Sequence, residues 1–260
     1  MRLSIRATAA GAAEVAALIV AEQLAAKPES VLGLPTGRTS LGIYKEIVRL
    51  HAAGHADFSR AHTFNLDEFV GLTSEDRRSY CAFMEKHLFQ RVNILPSHVH
   101  FLNGRAEDVE EECRRYERLI DQLGGIDLQL LGVGANGHIG FNEPARALRA
   151  RTHRAALTRG TRTANASLFG GRLRAVPRDA LSMGMATILE ASSIVLVAMG
   201  RTKAKAVQSL FTGRISTASP VSFLQLHPEV HVIVDKAAAA SLPRSLRGPS
   251  PGLPATVEVP

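Results

Sequence analysis

Leu130-Leu131-Gly132-Val133-Gly134-Ala135-Asn136-Gly137-His138-Ile139-Gly140-Phe141-Asn142-Glu143-Pro144 joins an apolar run to a series of glycines and then to two proton-carrying side chains. The run, from Leu128 to Val133, reads as a strand buried on both faces, the kind found in a parallel sheet covered by helices. An α/β enzyme presents acid and base groups in this way, just beyond the carboxyl edge of its sheet.

Other segments of the same kind extend the reading. Ser30 to Leu34, His62 to Leu66, Ile126 to Val133, Ser193 to Met199 and Val230 to Asp235 are short runs rich in aliphatic and β-branched residues, with helix-like segments between them. The fold class they predict is α/β: a doubly wound, Rossmann-like, mostly parallel sheet with helices on both faces. Residues 1–241 read as one domain. From Leu242 onward Pro243, Pro249, Pro251, Pro254 and Pro260 alternate with glycines, and residues 242–260 are expected to form a mobile tail that resists helix and sheet alike.

Composition bounds the function classes. The two cysteines, Cys81 and Cys113, cannot frame a disulfide scaffold, so a reducing, cytoplasmic location is expected. Arg2 and Arg6 ahead of an Ala-rich run have the order of a signal peptide, but Glu14 interrupts it. Val15, Leu18 and Ile19, followed by Glu22, suit an amphipathic surface helix instead. No stretch approaches the roughly 20 apolar residues of a membrane span. The net charge of +7 and the cluster Arg146, Arg149, Arg151, Arg154, Arg159 and Arg162 invite a nucleic-acid reading. Scarce lysine and the lack of tryptophan turn it toward an Arg-rich solvated helix and loop, and no nucleic-acid partner is expected.

Four segments carry candidate chemistry. Gly33-Leu34-Pro35-Thr36-Gly37-Arg38-Thr39-Ser40 lies between a strand and a helix expected over Leu41 to Leu50. Its glycine turn offers backbone N–H groups and hydroxyls to a phosphate, or else Thr39 or Ser40 caps the helix. No lysine precedes a Ser or Thr there as in a Walker loop. Asn65-Leu66-Asp67-Glu68-Phe69 sets two carboxylates after a strand, pointing opposite ways, so that one faces the cleft while the other serves structure, or else both only solvate a loop or cap a helix. In the opening stretch Glu143 is placed to orient one imidazole nitrogen of His138, with Asn136 beside them, while the other nitrogen exchanges protons. A structural histidine satisfied by backbone is the competing reading. Gly200-Arg201-Thr202-Lys203 follows another buried strand, from which Lys203 either reaches a phosphate or stays solvated. One histidine among scattered carboxylates lacks the ligand set of a metal site, and no metal is expected.

In this order and spacing the chain resembles the glucosamine-6-phosphate deaminase (glucosamine-6-phosphate isomerase) family over roughly residues 30 to 236. The resemblance rests on Leu34-Pro35-Thr36-Gly37, the segment Asn65 to Leu72, Ser79-Tyr80-Cys81-Ala82-Phe83-Met84, Gly137 to Pro144, Thr161-Arg162-Thr163-Ala164-Asn165, Met183-Gly184-Met185 and Leu224-Gln225-Leu226-His227-Pro228. It implies conversion of an amino-sugar phosphate to a ketose phosphate and ammonia without a cofactor. His138, with Glu143 and Asn136, would open the sugar ring, and Asp67 would move the C2 proton to C1. Thr36, Gly37, Arg38, Thr39 and Lys203 would hold the phosphate. The partner implied is a small phosphosugar, and the pattern leaves room for a homo-oligomer. A lactonase or another phosphosugar enzyme of the same fold, or a silent sugar-phosphate sensor, stands as the alternative.

The departures bear on substrate. Some family members carry Asp where this chain has Asn136, whose amide can orient but not charge-stabilise an imidazolium. Ser167 stands where the family usually has an arginine on a segment that closes over the phosphate, a contact worth ~1.5 to 3 kcal/mol. Arg38, where the family usually has a small residue, is expected to compensate. The stretch Arg151-Thr152-His153-Arg154-Ala155-Ala156 keeps little of the effector chemistry of the regulated hexameric members, so no strong activation by N-acetylglucosamine 6-phosphate is expected.

Overall fold

Val195 and Val197 face one way from the strand Ser193–Ala198 and Ile194, Leu196 and Ala198 face the other, and both sets are buried. The computed structural model describes residues 1–247 and 256–258. In chain order its elements are β1 (Arg2–Arg6), α1 (Ala9–Ala26), β2 (Val31–Leu34), α2 (Arg38–Ala52), β3 (His62–Asn65), β4 (Asp67–Phe69), α3 (Tyr80–His87), β5 (Val99–His100), α4 (Val109–Gln122), β6 (Leu128–Leu131), β7 (His153–Ala156), α5 (Arg159–Asn165), β8 (Asp179–Ser182), α6 (Met185–Leu189), β9 (Ser193–Ala198), α7 (Ala204–Ser209), β10 (Val230–Asp235) and β11 (Thr256–Glu258).

Seven strands run parallel in the order β1-β10-β9-β6-β2-β3-β5. One face packs Leu32, Leu34, Leu128, Leu130 and Ile233 against α1 and α2. The other packs Leu131, Leu196, Val232 and Val234 against Tyr116 and Ile120 of α4 and Val207 of α7. From β2 the chain builds outward through β3 to β5, and from β6 it builds the opposite way through β9 to β10. The reversal falls between β2 and β6, so the loops leaving their carboxyl ends diverge and open a crevice between them.

The five apolar runs land on β2, β3, β6, β9 and β10, and the doubly wound architecture is as expected. Four local readings need correction. First, α2 starts at Arg38, three residues before Leu41. Second, α1 buries Ala12, Ala13, Ala16, Ala17, Val20 and Leu24 and leaves Leu18 41% exposed, so its packed face is the alanine face. Small residues let two helix backbones approach, and a side chain on Gly42 of α2 would stand 3.3 Å from Ala13 Cβ. By length and composition α1 could cross a membrane, but its alanine face is packed against α2 and the sheet. Third, a separate antiparallel sheet, β4-β8-β7, turns part of the Arg-rich stretch into a strand. Ladder hydrogen bonds hold its short, polar strands, and no apolar run announces them.

The fourth correction concerns the ends of the chain. β1 is a strand that no apolar run announces, since Leu3-Ser4-Ile5 is short and half polar; Ser4 is buried and bonds His231 of β10 at 2.8 Å. Leu242 is 2% exposed within the core, so packing continues past residue 241. Thr256–Glu258 pairs antiparallel with β1, Leu3 opposite Val257, contrary to a tail without sheet. Pro243 to Arg247 is described as well, with a short helical turn over Arg244–Leu246, and the rest of that expected mobile tail lies outside the described residues.

Candidate active site

At the turn after β2, Gly37 has φ of 107°, a backbone that L side chains rarely adopt, and it serves as the N-cap of α2. No side chain caps the helix. Ser40 instead donates its hydroxyl back to the Gly37 carbonyl at 2.8 Å, so neither it nor Thr39 takes the capping role. The first-turn N–H groups of α2 therefore remain free to meet an anion, with Thr36 and Thr39 half-buried around them and Arg38 exposed.

Lys203, in the turn after β9, joins them from the other side. Its amine is half-buried and titrates below its ordinary value, through burial first and the charge of Arg38 second. Two cations from the ends of β2 and β9 are thus near enough for one charge to act on the other. The Asp235 carboxylate at the end of β10 steadies this turn by accepting N–H bonds from Gly200 at 3.0 Å and Ala238 at 2.7 Å.

The loop after β6 supplies the third wall. The His138 ring lies over Gly134, and Phe141 N donates to Ser182 Oγ at 3.0 Å. Asn142 donates to the carbonyls of Ile139 and Met183 at 3.0 and 2.8 Å. These bonds latch the loop to the end of β8. His138 Nδ1 stands 3.4 Å from Glu143 Oε2, at ion-pair distance but with no closed hydrogen bond. Asn136 Nδ2 donates to the same Glu143 oxygen at 2.8 Å, and its carbonyl accepts the His138 backbone N–H at 3.3 Å. Asn136 therefore orients Glu143 and the loop, and not the imidazole ring as the sequence suggested. Burial alone would raise Glu143, but the His138 ring, the Thr161 hydroxyl and the Asn136 amide outweigh it and hold the carboxyl down at about 2.

Asp67 opens β4 directly opposite Ser182, the residue that latches the His138 loop. Its carboxyl is pushed up to about 8, by burial first and by Glu68 second, with no hydrogen bond to offset them. Glu68 points the other way and accepts the backbone N–H groups of Phe69, Tyr80 and Cys81 at 2.8, 3.1 and 3.0 Å. It holds the N-terminus of α3. Burial still lifts it to about 7 against those three bonds. One of the adjacent carboxylates is free and the other structural, as alternation on extended backbone requires.

Sequence reasoning assigned no role to α5. Its N-cap Thr158 donates to Glu143 Oε1 at 3.1 Å, and Thr161 donates to the same oxygen. Both belong to or adjoin the segment Thr161 to Asn165, which the sequence marked without giving it chemistry. Among the described residues no group of three His, Cys, Asp or Glu side chains is arranged to hold a metal ion.

The family model described as glucosamine-6-phosphate isomerases/6-phosphogluconolactonase matches residues 4–233. The chain belongs to this family. A family relative in Halothermothrix orenii, a glucosamine-6-phosphate deaminase, is 48% identical over 93% of this chain and 100% of its own length. The glucosamine-6-phosphate deaminase of Thermoanaerobacter pseudethanolicus is 47% identical over 88% of this chain and 90% of its own. A solved monomeric glucosamine-6-phosphate deaminase of the family superposes with a TM-score of 0.90 at 44% identity, covering 93% of this chain and 100% of that one. Within the family fold, Ser167 lies exposed on the turn Ala166–Phe169 that follows α5.

Proposed function

We propose that this protein converts glucosamine 6-phosphate and water to fructose 6-phosphate and ammonia. The observation that carries the reading is that Asp67 pairs opposite Ser182, the residue that latches the loop bearing His138 and Glu143; in this arrangement Asp67 is raised to about 8 and Glu143 lowered to about 2. Environments that pull two like groups apart in this way suit them to different proton-transfer roles.

The chemistry runs in two stages. The closed ring hides C1, so the C2 proton is not acidic until the ring opens. His138, its charge supported by Glu143, takes the C1 hydroxyl proton and returns a proton to the ring oxygen, freeing the C1 carbonyl. Asp67 as carboxylate then removes the C2 proton and delivers it to C1. A C2 ammonium beside Asp67 favours its ionised form when substrate is bound. The enolamine becomes an imine at C2, water adds, and ammonia leaves. The steps are proton transfers, opening of the ring C–O bond, addition of water and loss of ammonia, with no net oxidation or reduction, so none requires a cofactor. The phosphate sits on the Thr36–Thr39 turn against Lys203 and Arg38, and its binding energy holds C2 at Asp67. With this reading goes a role as a hydrolase in N-acetylglucosamine and amino-sugar catabolism in the cytoplasm.

The test is ammonia and fructose 6-phosphate formation by purified protein given glucosamine 6-phosphate, run beside Asp67→Asn. Equimolar products that fall by about 10²- to 10⁴-fold in the variant support the reading. No ammonia from the wild-type protein overturns it.

A further inference from the structure

Glu143 is a nearly buried anion, its side chain 9% exposed, and each of its oxygens is served from a different part of the chain. Oε2 faces Asn136 and His138 of its own loop. Oε1 receives hydroxyls from Thr158 and Thr161, 15 and 18 residues further along. The helix that carries them is itself tied down. Tyr80 OH donates to Asn165 Oδ1 at 3.2 Å, and Asn165 Nδ2 donates to the Thr161 carbonyl at 3.0 Å. On the far side the Arg162 guanidinium donates to the carbonyls of Leu173 and Val176 at 2.9 and 3.1 Å.

We propose that Thr158 and Thr161 are positioning residues for the His138–Glu143 pair, and that Tyr80 and Asn165 hold the helix that carries them. The proposal rests on the deaminase reading for its kinetic consequence. Two hydroxyls on Oε1 fix the carboxylate plane and leave Oε2 directed at the imidazole. They also draw charge away from the carboxylate, which moderates its pull on the facing imidazole. Tyr80 starts α3, whose N-terminus rests on Glu68, the neighbour of Asp67. The group that opens the ring and the group that moves the C2 proton thereby share one frame.

The experiment compares wild type with Thr161→Val, which keeps the shape and removes the donor, and with Thr161→Ser, which restores it. His138 ring signals are followed by NMR across pH, and kcat and KM are measured with glucosamine 6-phosphate. In Thr161→Val the His138 titration moves to higher pH, the acid limb of kcat/KM moves with it, and kcat falls about tenfold while KM changes less than about twofold. Thr161→Ser returns all three toward wild type. Titration curves and pH profiles that superimpose in all proteins overturn the proposal. Should Thr161→Val not fold, Thr161→Ala serves the same comparison. The NMR titration needs no substrate, so it tests the hydroxyls even where absence of ammonia from the wild type has already overturned the deaminase reading.

Discussion

The imidazole of His138 occupies the space that a side chain on Gly134 would need: a Cβ built there stands 2.3 Å from His138 Cε1 and 2.4 Å from Nδ1. Gly134 is thus a seat for the ring as well as part of a turn. Gly134→Ala must push the imidazole off Glu143, and a displacement near 1 Å can cost on the order of 100-fold in rate. The expected result is a fall in kcat of about that size with the phosphosugar KM little changed, because the cationic turn lies elsewhere. A kcat within twofold of wild type would show that the ring has another place to sit.

Asp67 carries a cost in stability that its function explains. Its carboxyl is pushed up to about 8 in the fold, while an unfolded aspartate titrates near 4. The folded protein therefore holds a proton that the unfolded chain has released between those limits, and stability falls as pH rises through that window. Asp67→Asn removes the effect along with the base. The variant should melt progressively higher than wild type as pH rises from about 5 to 9, by about 5 °C at the upper end, while remaining inactive. A melting difference that is flat with pH would mean the ionised carboxylate is better solvated than its burial implies.

What the sequence made legible follows from how each feature is held. β6, β9 and β10 are buried on both faces, which leaves apolar runs in the text of the chain. β4, β7 and β8 are held by pairing with one another, and Asp-Glu-Phe or His-Arg-Ala-Ala carries no such trace. His138, Glu143 and Asn136 could be read together because one loop carries all three. Thr161 could not, since its partner lies 18 residues away and a threonine near a helix start reads equally well as local capping. The opposite directions of Asp67 and Glu68 were readable from extended backbone. Which of them was structural depended on Tyr80, twelve residues on.

Acid sensitivity should arise at the edge of the sheet. His62 stacks on His98 at 3.9 Å between ring centroids, and its Nδ1 lies 3.2 Å from His100 Nε2, a hydrogen bond that needs at least one neutral ring. His100 is lowered to about 4, by burial first and then by His62, His98 and Arg115; His62 is lowered by burial and His98. Because the unfolded chain takes up these protons near pH 6.5 and the fold resists them, stability is lost as pH falls from there toward 4. His100→Phe keeps an aromatic ring and should flatten the dependence of the urea midpoint on pH in that range. An unchanged slope would place the acid sensitivity at other groups, such as His231, which is also lowered to about 4.

Effector activation should be absent for a reason visible between β7 and its neighbours. Thr152 gives its backbone N–H to Glu117 Oε1 at 2.6 Å and its hydroxyl to the same oxygen. Arg151 pairs with Glu190 and Arg154 with Asp179. Donors already paired within the chain would have to give up those partners before meeting a phosphosugar. Adding N-acetylglucosamine 6-phosphate should leave the half-saturating concentration of glucosamine 6-phosphate unchanged or raise it by competition. A severalfold fall would require a site built from other residues.

Arg38 offers the sharpest test of how the phosphate is held. Ser167 cannot supply a charge from the turn after α5, whereas Arg38 lies in the first turn of α2 close enough to Lys203 for its charge to depress the lysine. Like charges brought together are unfavourable until an anion enters between them, so a dianionic phosphate should relieve that repulsion as it binds. Arg38→Ala should raise the KM for glucosamine 6-phosphate by about tenfold with a smaller change in kcat, the pattern of lost uniform binding. Inorganic phosphate as a competitive inhibitor should weaken by a similar factor, and both effects should shrink in high salt because Arg38 is exposed. If KM and phosphate inhibition both stay at wild-type values, Lys203 and the backbone of the Gly37 turn hold the phosphate without help, and Ser167 is uncompensated.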